Sequence, residues 1–193
     1  TNSKLSTSVL NVGIGGITPV AIDTEKPFRW RFMRDTLNET GSLSSHPDYD
    51  RIVLLLSGGP MLLRHNNGVH QEIAPLAPYC YQGELHTLAQ ADSPADYLSL
   101  FIRRQKVRAG VYPTHFNENA EIQFPLSAQE HFMFCIDGAI SVIDQNFSLQ
   151  YSLGANELLR ITRLTQDESL NLKAFGQSPS ATAIWVVIQY LAA

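Results

Sequence analysis

Residues Tyr49–Tyr81 read YDRIVLLLSGGPMLLRHNNGVHQEIAPLAPYCY, and residues His131–Ile161 read HFMFCIDGAISVIDQNFSLQYSLGANELLRI. Each stretch is an apolar run stopped by glycine, an alternating run, a polar turn, a second alternating run, a Leu/Pro/Gly turn and a closing apolar run. Gly58 and Gly138 hold matching places, 80 residues apart (138 − 58). That spacing indicates two related β modules, because solenoid repeats are only about 20–50 residues long. Ile52-Val53-Leu54-Leu55-Leu56 is a continuous apolar run, the pattern of a strand covered on both faces. Asn66-Asn67-Gly68 sits between two alternating runs and predicts a tight hairpin, since Asn and Gly tolerate positive φ.

Working outward, the same signals recur. Phe28–Met33 alternates large apolar residues with Arg29 and Arg31, and Tyr97–Arg103 and Ala181–Tyr190 read as further strands. Prolines 27, 47, 60, 75, 78, 113 and 125 fall between runs, as strand chemistry requires. Helical pattern is limited to single turns expected at Ser93–Asp96 and Asp35–Glu39. Residues 144–147 are expected to form the turn that matches the Asn-Asn-Gly hairpin. Residues 110–121 are polar and weakly patterned, which places a module boundary there: modules 1–110 and 111–193. Residues 1–8 read as a loosely ordered tail. The fold class is all-β, many short strands with regular turns arguing for a sandwich or barrel.

Composition narrows the function. In 193 residues, 44% are hydrophobic and 17% charged, which describes a globular chain. A net charge of −4 with one short basic stretch, Arg103–Arg108, excludes a nucleic-acid binder, which needs a broader electropositive footprint. No run reaches the ~18 apolar residues of a membrane span. No signal-peptide pattern opens the chain. Cys80 and Cys135 fall at non-matching places in the two copies, so no disulfide framework is expected and a reducing cytoplasm is the expected location.

The stretches FRWRF (28–32), GSLSSHPDYDRIVLLLSGG (41–59), PLAPYCYQGE (75–84) and DYLSLFIRR (96–104) together resemble the HutD/Ves family of small bacterial proteins. The likeness covers roughly residues 11–160, and Asp50-Arg51 with its Leu-rich strand is its most specific part. It implies a bicupin: two antiparallel barrels, packed together. It also implies a link to histidine utilisation, with urocanate or formylglutamate as ligands. This chain departs from the family pattern. The N-terminal glycine loop is Gly13-Ile14-Gly15-Gly16-Ile17-Thr18 without the usual following acid. His46 replaces a phenylalanine, and Ser99 stands where an asparagine is expected.

Candidate site residues follow from their chemistry. Arg51, just before the buried strand, can clamp a carboxylate through two parallel N–H···O bonds, or form an ion pair with Asp50 that pins the turn. Tyr79 and Tyr81 share a strand face with Gly83, either as a pocket wall or as ordinary core. Glu84, His86 and His46 can form an acid/base group or a polar loop. Arg103 can face the interior, and Thr18 follows the glycine loop. Ligand-binding candidates are therefore Thr18, His46, Arg51, Tyr79, Tyr81, Glu84, His86 and Arg103. No cofactor is expected. No metal site is expected either: none of the six histidines forms His-x-His, and His65, His70 and Glu72 straddle a hairpin as solvated residues, with His65 at its tip. The favoured reading is a non-catalytic or regulatory binder of a small carboxylate. The alternatives are a metal-dependent cupin isomerase or dioxygenase, and an interaction protein whose apolar strands pair two copies into a homodimer.

Overall fold

A computed structural model describes residues 5–12, 18–144, 149–164 and 171–192. These contain strands β1 (Leu5–Asn11), β2 (Thr18–Ile22), β3 (Trp30–Leu37), β4 (Thr40–Leu43), β5 (Tyr49–Ser57), β6 (Met61–His65), β7 (His70–Ile73), β8 (Tyr79–Gln82) and β9 (Thr87–Ala91). The remainder are β10 (Ala95–Arg103), β11 (Val107–Asn117), β12 (Glu121–Pro125), β13 (Glu130–Asp137), β14 (Ala139–Asp144), β15 (Leu149–Gly154), β16 (Glu157–Arg163), β17 (Asn171–Gly176) and β18 (Ser180–Tyr190). Among the described residues there is no α-helix, and so none long and apolar enough to cross a membrane.

Two compact units divide the chain. One holds the described residues of 13–108 with 191–192, the other joins 5–12 to the described part of 109–190. The first, the N-terminal unit, has a five-stranded sheet, β2-β3-β10-β5-β8, and a four-stranded sheet, β4-β9-β6-β7. Val53, Leu55 and Tyr97 from the first sheet pack with Leu63, Met61 and Ala89 from the second in one core cluster. The C-terminal unit repeats the plan with sheets β1-β16-β13-β18-β11 and β12-β17-β14-β15, and its core joins Met133 and Trp185 to Ile140, Val142 and Ala174. Among the described residues the ladders form two open sheets in each unit with the core between them, and no pairing closes the barrels expected of a bicupin.

The repeat is visible strand for strand. The run β8-β5-β10-β3 matches β16-β13-β18-β11, and β7-β6-β9-β4 matches β15-β14-β17-β12. Leu54 pairs with Leu98, and Phe134 with Ile184. Gly58 (φ 101°) and Gly138 (φ 72°) end the matching strands β5 and β13 in the left-handed region that favours glycine. A Cβ on Gly58 would lie 2.5 Å from the Pro94 carbonyl oxygen, and one on Gly138 2.4 Å from that of Ser180. The paragraph written twice in the sequence is a structure built twice.

Several sequence expectations are corrected. Residues 5–8 are not a loose tail but the start of β1, whose ladder to β16 runs from Leu5↔Arg163 to Asn11↔Glu157. The single helical turns are absent: 35–37 finish β3 and 95–96 open β10, held by the Ala95↔Leu37 pairing. The weakly patterned stretch 110–117 lies within β11. Gly68 does form the hairpin turn, at φ 85°. Its counterpart at 145–147 lies outside the described residues.

Candidate functional site

In the N-terminal unit, alternation sends Arg51, Val53 and Leu55 of β5 toward the space between the sheets. Val53 and Leu55 are fully buried core, at 0% exposure. Arg51 precedes them on the same face and is itself only 4% exposed. On the neighbouring strand β10 the same face carries Tyr97, Ser99 and Phe101, and beyond it β3 presents Met33 and Asp35. The register aligns Arg51 with Phe101, Ser99 with Met33, and Tyr97 with Asp35. A row of polar side chains thus runs across one face of three strands, of which β5 and β10 otherwise bury apolar residues on both faces.

The Arg51 guanidinium donates to Ser99 Oγ from Nε (3.1 Å) and Nη2 (2.8 Å). Its carbon sits 4.8 Å from the centre of the Phe101 ring, a cation–π contact. Nη1 is buried and has no partner. Among the described residues no carboxylate comes within ion-pairing distance of it. Ser44 and Asp35 join Arg51 in lining two adjoining cavities. One, of about 70 Å³, is bounded by Met33, Ser99 and Phe101. The other, of about 220 Å³, continues past Gly41 and Tyr97.

Around this centre the candidate residues separate. The His46 ring packs 4.4 Å from that of Phe101. Burial first, and the charges of Arg51 and Arg31 after it, hold its pKa below the ordinary value, against a raising bond from the Ser44 carbonyl. Tyr81 is 8% exposed and its phenol oxygen, buried, has no hydrogen-bond partner. Burial raises its pKa. Arg51 and Thr87 lie close enough to temper that rise, yet neither meets hydrogen-bond geometry with it. Tyr79 stacks on Tyr81 at 5.8 Å, and its hydroxyl lies 3.2 Å from His65 Nε2. His65 is therefore not a solvated hairpin residue: it is 4% exposed, and its other nitrogen lies 2.8 Å from Thr87 Oγ1. Pairing of His65 with Thr87 in the β6–β9 ladder turns the ring inward, which the hairpin sequence alone does not disclose.

Glu84, His86 and Arg103 are elsewhere. Arg104 binds the Glu84 carboxylate and Asp50 Oδ1 (2.9 Å), so Glu84 ties a turn together, and Asp50 pairs with Arg104 rather than with Arg51. His86 is exposed. Arg103 lines a surface hollow of about 250 Å³ with Asp48, Arg104 and Gln105, where Arg104 is already neutralised. Thr18 opens β2 opposite Arg34. Its side chain, and the glycine loop at 13–17, lie outside the described residues. Cys80 is exposed and Cys135 buried.

Ser99, Phe101, Tyr97 and Asp35 are the site residues that sequence reasoning passed over. The signal for the first three was the alternation along Tyr97–Arg103, which puts them on one face opposite Leu98, Leu100 and Ile102. Chemically the arrangement offers hydrogen-bond donors to an anion. Among the described residues it shows no nucleophile–base contact of the acyl-transfer kind: His46 Nδ1 lies 3.4 Å from the Ser44 carbonyl, and the Ser99 hydroxyl receives from Arg51. Among the described residues no three His, Cys, Asp or Glu side chains converge in a metal-binding group.

Solved structures share this architecture. A conserved protein of unknown function from Pseudomonas aeruginosa PAO1, PA5104, superposes with a TM-score of 0.83 at 19% identity, over 96% of this chain and 100% of that one. HutD from Pseudomonas fluorescens SBW25 gives 0.79 at 16% identity, over 97% and 100%. A cupin 2 conserved barrel domain protein from Leptotrichia buccalis gives 0.59 at 6%, over 98% and 92%. At these identities the likeness establishes a cupin-like fold. No curated protein matches the sequence. The family model HutD matches residues 14–180, most of the chain, and the protein belongs to the HutD family.

Proposed function

We propose that this chain binds a small carboxylate-bearing metabolite between the sheets of its N-terminal unit, as a non-catalytic or regulatory protein, each two-sheet unit being a cupin-type barrel. The observation that carries the reading is Arg51: a buried guanidinium with a free Nη1, no carboxylate partner, and a cavity in front of it. A buried charge is costly unless paired, so such an arrangement is favoured when an anion completes it. The cavities fall below the ~300–1,000 Å³ of drug-sized sites, which suits a ligand of few atoms. The family's name supports histidine-related acids as first probes, and the HutD structure bearing the description "formate condition" adds the simplest carboxylate.

Thermal-shift titration and calorimetry with formate, urocanate, formylglutamate, glutamate and histidine test this. At 100 times its dissociation constant a ligand stabilises by about 2.7 kcal/mol. For a chain of this size that is a rise of roughly 5–11 °C at 2–4 °C per kcal/mol. The expected result is such a shift with one acid, a stoichiometry of one per chain, and its loss in Arg51→Met. Equal shifts in wild type and variant, or none with any acid, would overturn the proposal.

A further inference from the structure

On the same sheet face as Arg51, two strands away, stands an acid with the complementary deficiency. Asp35 lines both cavities alongside Arg51, yet the two form no ion pair. Its Oδ2 accepts from the Tyr97 hydroxyl at 3.0 Å, and its Oδ1 from the Thr36 backbone N–H at 2.8 Å. Both donors are neutral. A carboxylate has about four lone-pair positions, so acceptor capacity is left over. The nearest arginine in sequence, Arg34, is on the opposite face of β3 and bound to Asp96. Among the described residues no cation pairs with Asp35. The cavity therefore carries one positive and one negative group, each held by neutral partners, neither neutralised by the other.

Resting on the carboxylate-anchor reading above, we propose that the ligand is an acid that also bears a nitrogen-bound proton (ammonium, amide or imidazole N–H), with Arg51 holding its carboxylate and Asp35 accepting its N–H. Such a molecule satisfies both groups at once. A plain dicarboxylate cannot, because its second charge would oppose Asp35, and like-charge juxtaposition is strongly unfavourable when desolvated. Tyr97 is the positioning residue. It sits directly across the ladder from Asp35, and its phenol is held protonated by burial first and by the Asp35 charge next, so it remains a donor. Asp35 is thus fixed in orientation by two bonds and keeps its remaining lone pairs for the ligand.

Glutarate and L-glutamate are matched probes: the same five-carbon diacid without and with a nitrogen. Calorimetry on wild type is expected to show glutamate binding about tenfold to a hundredfold tighter, the worth of one charge-assisted hydrogen bond. Asp35→Asn should bring the two acids within about threefold of each other while glutarate binds at least as well as before, since the residual gain of a neutral hydrogen bond is small. Asp35→Ser, also uncharged, serves if the asparagine chain does not fold. A glutamate-to-glutarate ratio unchanged in these variants, or glutarate the better ligand of wild type, overturns the inference. If Arg51→Met abolishes binding of both acids but Asp35→Asn changes nothing, this inference alone falls. If neither acid binds wild type, or Arg51→Met binds both normally, the anchor reading falls and takes this one with it.

Discussion

Replacing Arg51 by methionine together with Ser99 by alanine should make the unliganded protein more stable while removing the proposed carboxylate anchor. Arg51 is 4% exposed, and its Nη1 lacks any partner. An unsatisfied buried donor alone costs about 1–3 kcal/mol, and desolvation of the charge adds to it. Opposing this are two hydrogen bonds to one neutral hydroxyl and a cation–π contact worth about 0.5–2 kcal/mol. Exchange of buried charged groups for apolar residues of similar volume is commonly neutral to about 4 kcal/mol stabilising. Methionine follows the length of the arginine stem and adapts to irregular gaps, and Ser99→Ala removes the hydroxyl that would be left alone. A gain of about 1–2 kcal/mol is expected, or roughly 2–8 °C in Tm at 2–4 °C per kcal/mol. Calorimetric melts without ligand measure it, and titration with the acids above measures the lost binding. A double variant that melts lower than wild type by several degrees would refute the reasoning. Arg51 would then be a structural member of the sheet, and its buried charge no sign of a site.

The pH dependence of stability should be dominated at mildly acid pH by His131, whose pKa burial lowers to about 4 from the ordinary 6.5, with Arg163 lowering it further and a bond to Ala128 resisting. Above pH 6.5 the ring is neutral folded and unfolded alike; as pH falls from 6.5 toward 4 the unfolded chain takes up a proton that the folded one refuses, so stability is lost, by about 3 kcal/mol in all (2.5 units at 1.36 kcal/mol each). His46 and His65 shift in the same direction, and so a His131→Leu chain should show a clearly flatter, though not level, fall of Tm from pH 7 to 4.5; an unchanged slope would count against the burial argument. Gly138→Ala and Gly58→Ala should each cost about 2–4 kcal/mol in urea unfolding, because positive φ and a backbone clash combine. Gly68→Ala, with φ 85° but nothing within 4 Å of its Cβ, should cost about 1–2 kcal/mol, and equal losses at all three would refute the steric part.

Much of the fold was legible because its signals are local. The apolar run Ile52–Leu56, the glycines at 58 and 138, the Asn-Asn-Gly turn and the Tyr79/Tyr81 alternation all behave as their immediate sequence says. Tyr79 and Tyr81 face inward while Cys80 and Gln82 are exposed. What sequence reading missed depends on partners far along the chain. Strand β1, LSTSVLN, has little pattern of its own and exists because β16, some 150 residues later, offers it an edge. Asp35 looks like the start of a helical turn until β10 pairs beside it and puts Tyr97 across from it. Arg51 could be chosen from sequence for its place before the buried strand. Glu84 could not be rejected from sequence, because its partner Arg104 arrives from the far end of β10.

The internal repeat shows how the residues at the Arg51 row differ between the two units. Strands β5 and β8 correspond to β13 and β16 at an offset of 80 residues (134 − 54), and β10 to β18 at 86 (184 − 98). Arg51 then answers to His131, Tyr81 to Ile161, Tyr97 to Ala183 and Ser99 to Trp185, and the ladders agree: Arg51 pairs with Tyr81 and Phe101 as His131 pairs with Ile161 and Val187. In the C-terminal unit the indole of Trp185 lies stacked 5.0 Å from His131 and is 3% exposed. A large ring fills the place where the N-terminal unit has a serine hydroxyl and a cavity. His131 is neutral at pH 7, whereas Arg51 keeps its charge. At these matched positions the two units differ: the C-terminal one stacks His131 on Trp185, whereas the N-terminal one keeps the Arg51 charge, the Ser99 and Tyr97 hydroxyls and empty volume. His131 too has a buried ring nitrogen, Nδ1, without a hydrogen-bond partner, but no charge goes with it; breaches of local packing and charge-pairing rules concentrate at functional sites. The second copy of the same architecture, in the same chain, is thus the reference against which the buried charge and empty volume at Arg51 stand out.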